Sequence, residues 1–155
     1  RENLVGAADA IPTKTTSLAP LGRLDQDSRG LLLLSEDGVL AKALIGETSK
    51  LDKEYLVRVG GQITDRKLAL LRHGLALDGK QLKPAKIEQV EPQRLRFILN
   101  EGRKRQIRRM CELVELEVSD LLRLRIGPLK LGELKEGSWR SLSVAEREAL
   151  IRDSK

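Results

Sequence analysis

The sequence contains very few of the residues that usually build disulfides and metal sites. Among 155 residues there is one cysteine, Cys111, and one histidine, His73. A single thiol excludes an internal disulfide and fits a reducing compartment, so we expect a cytoplasmic protein. A single imidazole excludes a histidine-based metal site. Any chemistry must therefore come from carboxylate, tyrosine, lysine or arginine side chains.

Aromatic residues and long apolar runs are also scarce. Phe, Trp and Tyr each occur once, so the core must consist mainly of Leu, Val, Ile and Ala. Base-stacking platforms of the kind that bind single strands are not expected. No apolar run approaches the roughly 20 residues of a membrane helix, and we expect no membrane partner. With 40% hydrophobic residues, the chain can still bury the core of about one domain.

Positive charge, by contrast, is abundant, with a net charge of +6. Such a balance favours a polyanionic partner, usually nucleic acid. The segment EGRKRQIRRM places cations at the start of a predicted helix, where they oppose the helix dipole and gain nothing locally. Arginines also alternate along a later predicted strand and give a second basic surface. We therefore predict phosphate contacts from Arg103, Lys104, Arg105, Arg109 and Arg123 rather than a passively solvated face.

The spacing of apolar residues predicts an α+β domain with a mixed sheet. Strands are predicted at 31–34, 53–59, 86–90, 94–99, 122–126 and 139–142, with a hairpin turn at Asp78-Gly79. Helices are predicted at 37–45 with Ser35 as its cap, after Thr64, at 105–114 and after Ser143. Residues 1–20 are predicted to be a flexible lead-in, or the remnant of a truncated N-terminal part. Residues 21–155 would form the domain.

The two rare residues are assigned ordinary structural roles. Cys111 falls on the apolar stripe of the helix predicted at 105–114, so we expect it to pack in the core. His73 ends a predicted helix just before Gly74, where a contact at the helix C-terminus is expected rather than catalysis.

The loop GRLDQDSRG, which precedes four leucines, contains two candidate nucleophiles. A nucleophilic carboxylate must be ionised and positioned, and a neighbouring arginine can do both. Asp25 has Arg23 beside it, and Asp27 has Arg29. Spacing alone does not choose between the two carboxylates, and Asp27 with Ser28 could equally form a turn or a cap.

Four segments together resemble the RsuA-type branch of the pseudouridine synthases, enzymes that modify uridines in ribosomal RNA. GRLDQDSRGLLLLSEDG is similar to the signature loop of that family and KEYLVRV to its second motif. EGRKRQIRRM is similar to its third motif and LRLRIGPLKLGELKEGSWRSL to its C-terminal segment. The four occur in the family's order. The resemblance implies the pseudouridine synthase fold, with a mixed, mainly antiparallel sheet and flanking helices, in a monomer without cofactor or metal.

The same resemblance implies a role for individual residues. Asp25 matches the catalytic aspartate and Tyr55 a tyrosine whose ring stacks on the target uracil. Arg108 matches an arginine paired with the catalytic aspartate, and Ile107 an apolar residue beside the tyrosine. Arg23 matches an arginine that helps to hold the flipped-out nucleotide. The implied partner is RNA, above all ribosomal RNA or a ribosomal assembly intermediate.

Two other functions fit the residues without the resemblance. One is a basic RNA-binding module that acts in ribosome assembly without catalysis. The other is a metal-dependent nuclease that uses Asp25 and Asp27, which is disfavoured because paired metals need several carboxylates.

Overall fold

The structure is a computed structural model that describes residues 3–8 and 18–155. Its strands are β1 (Leu4–Ala8), β2 (Ala19–Leu21), β3 (Arg29–Ser35), β4 (Lys53–Gly60), β5 (Ala76–Leu77), β6 (Lys80–Gln81), β7 (Lys86–Glu91), β8 (Arg94–Leu99), β9 (Glu117–Ile126), β10 (Leu129–Lys130) and β11 (Trp139–Ser141). Its helices are α1 (Gly38–Ile45), α2 (Asp65–Arg72), α3 (Gln106–Leu113) and α4 (Val144–Asp153). The predicted α+β class is confirmed.

The chain forms two compact units. The first contains the chain up to Lys53 together with Leu122–Lys155, and the second contains Glu54–Leu121. In both units the strands pair mainly antiparallel, as predicted. One exception is the parallel pairing of β3 with the end of β9, in which Arg29 lies opposite Leu122 and Gly30 opposite Arg123.

Strand β3 is the centre of the first unit. Its four leucines are at most 5% exposed, so the prediction of a strand buried on both faces is confirmed. Leu31 and Leu33 belong to the core that α1 and α4 also line, whereas Leu32 and Leu34 pack in a second cluster near Trp139. Each fully buried leucine contributes about 1.5–3 kcal/mol of transfer free energy, so β3 is a major contributor to the stability of the unit.

The second unit has a separate core. Val57 and Val59 of β4 and Phe97 of β8 pack against α3 and α2. Cys111 is fully buried in this core, as predicted. The hairpin turn at Asp78-Gly79 is also confirmed, with φ angles of 53° and 76° that suit a type I′ turn.

Two segments of residues 1–20 form strands, which contradicts a flexible lead-in, one of the two alternatives predicted for this range. β1 pairs with both β3 and β11, and β2 pairs with the other edge of β3. The Trp139 ring packs at Gly6 of β1: a Cβ at Gly6 would lie 2.3 Å from Trp139 Cε3. The rest of the predicted lead-in, residues 1–2 and 9–17, lies outside the described residues.

The helix ends follow local hydrogen-bonding chemistry. Thr64 caps α2 by accepting from the Lys67 N–H at 3.2 Å, as predicted. The N-cap of α1 is Asp37 and not Ser35, because the Asp37 carboxylate accepts from the Val39 and Leu40 amides. His73 is the C-cap of α2, where its N–H donates to the carbonyl of Ala69. Within the described residues, no helix is long and apolar enough to cross a membrane.

Candidate active site

The two candidate carboxylates in the loop between β2 and β3 differ in burial. Leu24 is only 4% exposed and packs with Leu32 and Leu34, which anchors the loop in the first unit. Asp25 follows it directly and is half-buried, and its carbonyl accepts from the Ser28 N–H at 2.9 Å. Asp27 lies in the resulting turn and is exposed. A half-buried carboxylate on a fixed loop is the better placed of the two for chemistry.

The arginines assigned to the first unit have contrasting surroundings. Arg23 is exposed beside Asp25 in sequence, so its guanidinium is accessible to solvent. The expectation that Arg123 lies on a basic surface is wrong, because Arg123 is only 2% exposed. Its Nε donates to the Leu31 carbonyl at 2.9 Å, and its Nη2 donates to the Gly22 carbonyl at 2.6 Å. Arg123 therefore binds the backbone at Gly22 and Leu31 and does not present its charge to solvent.

Lys53, at the start of β4, lies in the field of this buried cation. Burial lowers the pKa of Lys53, and the positive charge of Arg123 lowers it further. The carboxylate of Asp52 acts in the opposite direction. Asp52 is itself paired with Arg125, whose Nη1 lies 2.9 Å from its Oδ1.

In the second unit, Tyr55 and Ile107 belong to one apolar environment. Ile107 is 4% exposed in the core, and the half-buried Tyr55 packs against that core. Tyr55 shares its strand face with the buried Val57 and Val59, as predicted. Tyr55 is therefore partly exposed and partly packed against the core.

A hydrogen-bond network that was not predicted from the sequence holds the basic segment before α3. The buried side chain of Gln106 accepts from the Arg103 N–H at 2.9 Å and donates to Glu101 Oε1 at 3.2 Å. Glu101 Oε1 also accepts from the Lys83 N–H. Arg105 has a left-handed conformation with φ of 52°, which is uncommon for a residue other than glycine. The Gln106 amide, as the interior donor and acceptor of this loop, fixes that turn.

The predicted phosphate ligands of this segment differ in exposure and in their contacts with carboxylates. Lys104 and Arg105 are exposed. Arg103 is half-buried, with its Nε 3.9 Å from Glu101 Oε2. Arg109 donates to both carboxylate oxygens of Asp78. Among these four, Lys104 and Arg105 are the cations most accessible to an approaching phosphate.

A cleft of about 600 Å³ lies beside α3 within the second unit. Arg105 and Arg108 line it, together with Glu112, Glu115 and Glu117. Two guanidiniums and three carboxylates thus share the cleft, so its lining is not uniformly basic. Arg108 is half-buried at its edge.

Metal and thiol chemistry find little support in the part of the chain that the structure describes. No group of three or more His, Cys, Asp or Glu side chains there is arranged to hold a metal ion. Burial raises the pKa of the Cys111 thiol to about 12, which keeps it protonated and unreactive at neutral pH.

Sequence reasoning missed the organising roles of Gln106, Glu101 and Gly30. A Cβ at Gly30 would lie 2.3 Å from the Arg123 carbonyl oxygen, so only glycine permits that approach of β3 to β9. An uncharged Gln inside a run of cations, and a Gly directly before four leucines, are the signals that point to these positions.

Comparison with known proteins identifies related chains. A family model described as RNA pseudouridylate synthase matches residues 5–113. An RNA pseudouridine synthase of Aquifex aeolicus, itself uncharacterised, is 36% identical over 86% of this chain and 55% of its own length. The dual-specificity RNA pseudouridine synthase RluF of Salmonella typhi is 39% identical over 80% of this chain and 43% of its own. Ribosomal large subunit pseudouridine synthase E of Vibrio parahaemolyticus is 35% identical over 88% of this chain and 64% of its own. The chain thus spans about half the length of these curated relatives.

Solved structures confirm the predicted fold. A crystal structure of a pseudouridylate synthase superposes with a TM-score of 0.88 at 27% identity, over 96% of this chain and 73% of that one. The archaeal box H/ACA Nop10–Cbf5 complex matches with a TM-score of 0.56 at 16% identity, over 96% of this chain and 52% of that one. The second likeness is one of fold alone.

Proposed function

Because the chain belongs to the RNA pseudouridylate synthase family, we propose that it isomerises a uridine of RNA to pseudouridine with Asp25 as the nucleophile. The observation that supports the choice of Asp25 most is its position in the β2–β3 loop. It is half-buried directly after the anchored Leu24, whereas Asp27 is exposed in the turn. A nucleophile on a fixed segment loses little entropy on reaching its transition state.

The reaction balances without an oxidant, a reductant or a metal. The bond between ribose C1′ and uracil N1 breaks, and a bond between C1′ and C5 forms. C5 releases its proton and N1 gains one, so product and substrate are isomers. The base must leave its stack before either bond is accessible, and the freed uracil must turn within the site before it rejoins the ribose.

The remaining roles follow the motifs that carry them. Tyr55 supplies a partly open ring on which uracil can stack, and the buried Ile107 supports the same apolar surface. Arg108 serves as the cation of the site, and Arg23 holds the flipped-out nucleotide. Lys104 and Arg105 are exposed and bind phosphate.

The substrate we propose is ribosomal RNA, free or in an assembly intermediate. The Vibrio relative is named for the large ribosomal subunit, and the net charge of +6 suits a polyanion. We propose that the protein acts as a monomer in the cytoplasm, without cofactor, metal or membrane partner.

Site-resolved detection of pseudouridine tests this function. The purified chain is incubated with ribosomal RNA that contains no pseudouridine, and each uridine is then assayed. We expect new pseudouridine at one or a few positions, and none with the Asp25→Asn variant. RNA that is bound tightly but remains unmodified would instead favour a non-catalytic assembly module.

A further inference from the structure

Arg123 contacts the loop that carries Asp25 at both of its ends. At the loop's start, Arg123 Nη2 donates to the Gly22 carbonyl at 2.6 Å. Where the loop enters β3, Gly30 lies opposite Arg123 in the parallel register, and Arg123 Nε donates to the carbonyl of Leu31 at 2.9 Å. One residue of β9 thus spans the whole segment from 22 to 31.

The geometry of this contact requires a guanidinium group. Nε and Nη2 project in a rigid fork and donate to two separate carbonyl oxygens, whereas a lysine ammonium is a single compact centre on a flexible stem. Arg123 is 2% exposed, so its charge is desolvated and depends on these acceptors. Removing the fork would leave the buried Leu31 carbonyl and the part-buried Gly22 carbonyl without this donor.

The backbone of Arg123 is fixed as closely as its side chain. A Cβ at Gly30 would lie 2.3 Å from the Arg123 oxygen and 2.6 Å from its nitrogen. Gly22 has φ of +67°, a conformation in which the chain can turn from β2 into the loop. The loop therefore leaves β2 at Gly22 and enters β3 at Gly30, and both glycines lie against Arg123. Asp25 lies three residues after Gly22.

We propose that Arg123 is a positioning residue for the Asp25 carboxylate and not a phosphate ligand. The proposal rests on the proposed function, in which Asp25 is the nucleophile. Arg123 acts on the reaction only through the loop. It holds the backbone at residues 22 and 31, and so limits the positions that Asp25 can reach. A small displacement of a reacting group is enough to slow a reaction strongly.

The test compares Arg123→Lys with Arg125→Lys. Arg125 lies two residues further along β9 and also joins a carboxylate and a carbonyl, those of Asp52 and Gly127, so it is a matched control outside the loop. Turnover is measured as tritium release from RNA that carries [5-³H]uridine, since C5 loses its hydrogen in the reaction. Amide hydrogen exchange over residues 22–29 is measured in parallel.

We expect Arg123→Lys to lower kcat by about 10²-fold with KM for RNA unchanged, and to speed exchange in residues 22–29. Arg125→Lys should leave kcat and loop exchange as in the parent. An Arg123→Lys protein with normal kcat and normal loop exchange overturns the proposal. A raised KM with unchanged kcat also overturns it, because that result identifies a direct RNA contact.

A second variant and a separate interpretation for an inactive parent protein complete the test. If Arg123→Lys does not fold, Gly22→Ala strains the start of the loop at its positive φ and leaves the guanidinium in place. We then expect faster exchange in residues 22–29 and a fall in kcat with KM unchanged. Faster loop exchange with an unchanged kcat overturns the proposal, because the position of the loop would then not control the reaction. If the parent protein itself releases no tritium, the proposed function fails, while exchange over residues 22–29 still decides whether Arg123 holds the loop.

Discussion

The guanidinium of Arg109 donates to both carboxylate oxygens of Asp78, at 3.0 and 3.1 Å, and so joins α3 to the tip of the β5–β6 hairpin. Asp78 is 64% exposed, and an ion pair as open to solvent as this one contributes at most about 1 kcal/mol to folding. We expect its larger effect to be on RNA recognition, because Asp78 already neutralises the charge of Arg109. Lys104, five residues earlier, is exposed.

RNA binding should distinguish these two cations. We expect Lys104→Ala to weaken binding and to lower the slope of log affinity against log salt by about one, the value for one lost phosphate contact. Arg109→Ala should change the slope less, because its guanidinium faces Asp78. Titrations of RNA at several salt concentrations measure both slopes. Equal changes in the two variants would contradict this assignment.

Tyr55→Phe and Tyr55→Leu should separate stacking from proton transfer. The ring is half-buried against the core, and stacking on a base is worth about 1–3 kcal/mol. We expect Leu to lose RNA turnover even where the fold survives. Phe keeps the ring face, so a Phe variant that cleaves the original bond but stalls before product would assign a proton-transfer role to the hydroxyl.

Thermal unfolding is the control for both tyrosine variants, because ordinary core packing would lower the melting temperature along with activity. A Leu variant with full turnover and unchanged thermal stability would remove Tyr55 from the site.

Stability in acid should depend on Glu146. The hydrogen bonds from Arg140, above all, lower the pKa of Glu146 from 4.5 to about 2. Because the folded pKa is depressed, this contribution is fully present above about pH 4.5 and is lost as pH falls toward 2. Glu146→Gln keeps a side chain suited to the capping box with Ser143 and removes the charge.

We therefore expect the free energy of unfolding of Glu146→Gln to fall less steeply between pH 4.5 and pH 2 than that of the parent. Glu148→Gln, an exposed change on the same helix, is the matched control. Denaturant titrations across that range measure the difference. Parallel curves for the parent and Glu146→Gln would show that the pair with Arg140 has no role in acid stability.

Cys111 should resist alkylation while the protein is folded. Its thiol is fully buried and its pKa is raised to about 12, so very little thiolate exists at neutral pH. We expect iodoacetamide to react at the rate of unfolding, and to react rapidly once denaturant is added. Rapid labelling of the folded protein would place the thiol outside the core.

Much of the fold could be predicted because local chemistry dictates it. Thr64 and Ser143 cap their helices as the sequence indicates, and the leucines of β3 are buried on both faces. β1 could not be predicted in the same way. Gly6 and the alanines of LVGAA have weak strand preference, and long-range pairing with β3 and β11 holds the strand, with Trp139 packed over the glycine.

The strands and helix that carry the candidate site residues were predictable, but the burial of the individual side chains was not. Alternation along β9 was correctly predicted, but period alone does not say which face is buried. Arg123 is buried whereas Leu122 and Leu124 are only partly buried, which reverses the assumption that Arg123 points outward. Long-range hydrogen bonds to Gly22 and Leu31 decide that orientation, and no local pattern contains them.

The central claim, that Asp25 performs the chemistry, is tested most directly by comparing Asp25→Asn with Asp27→Asn in single-turnover assays of tritium release from [5-³H]uridine RNA. Asn keeps the shape of each side chain and removes its charge, and RNA affinity is measured alongside. We predict that Asp25→Asn lowers the rate by more than about 10³-fold with little change in affinity, as loss of a nucleophile does. Asp27→Asn should keep substantial activity. The reverse ranking, or equal rates for the two variants, would contradict the account.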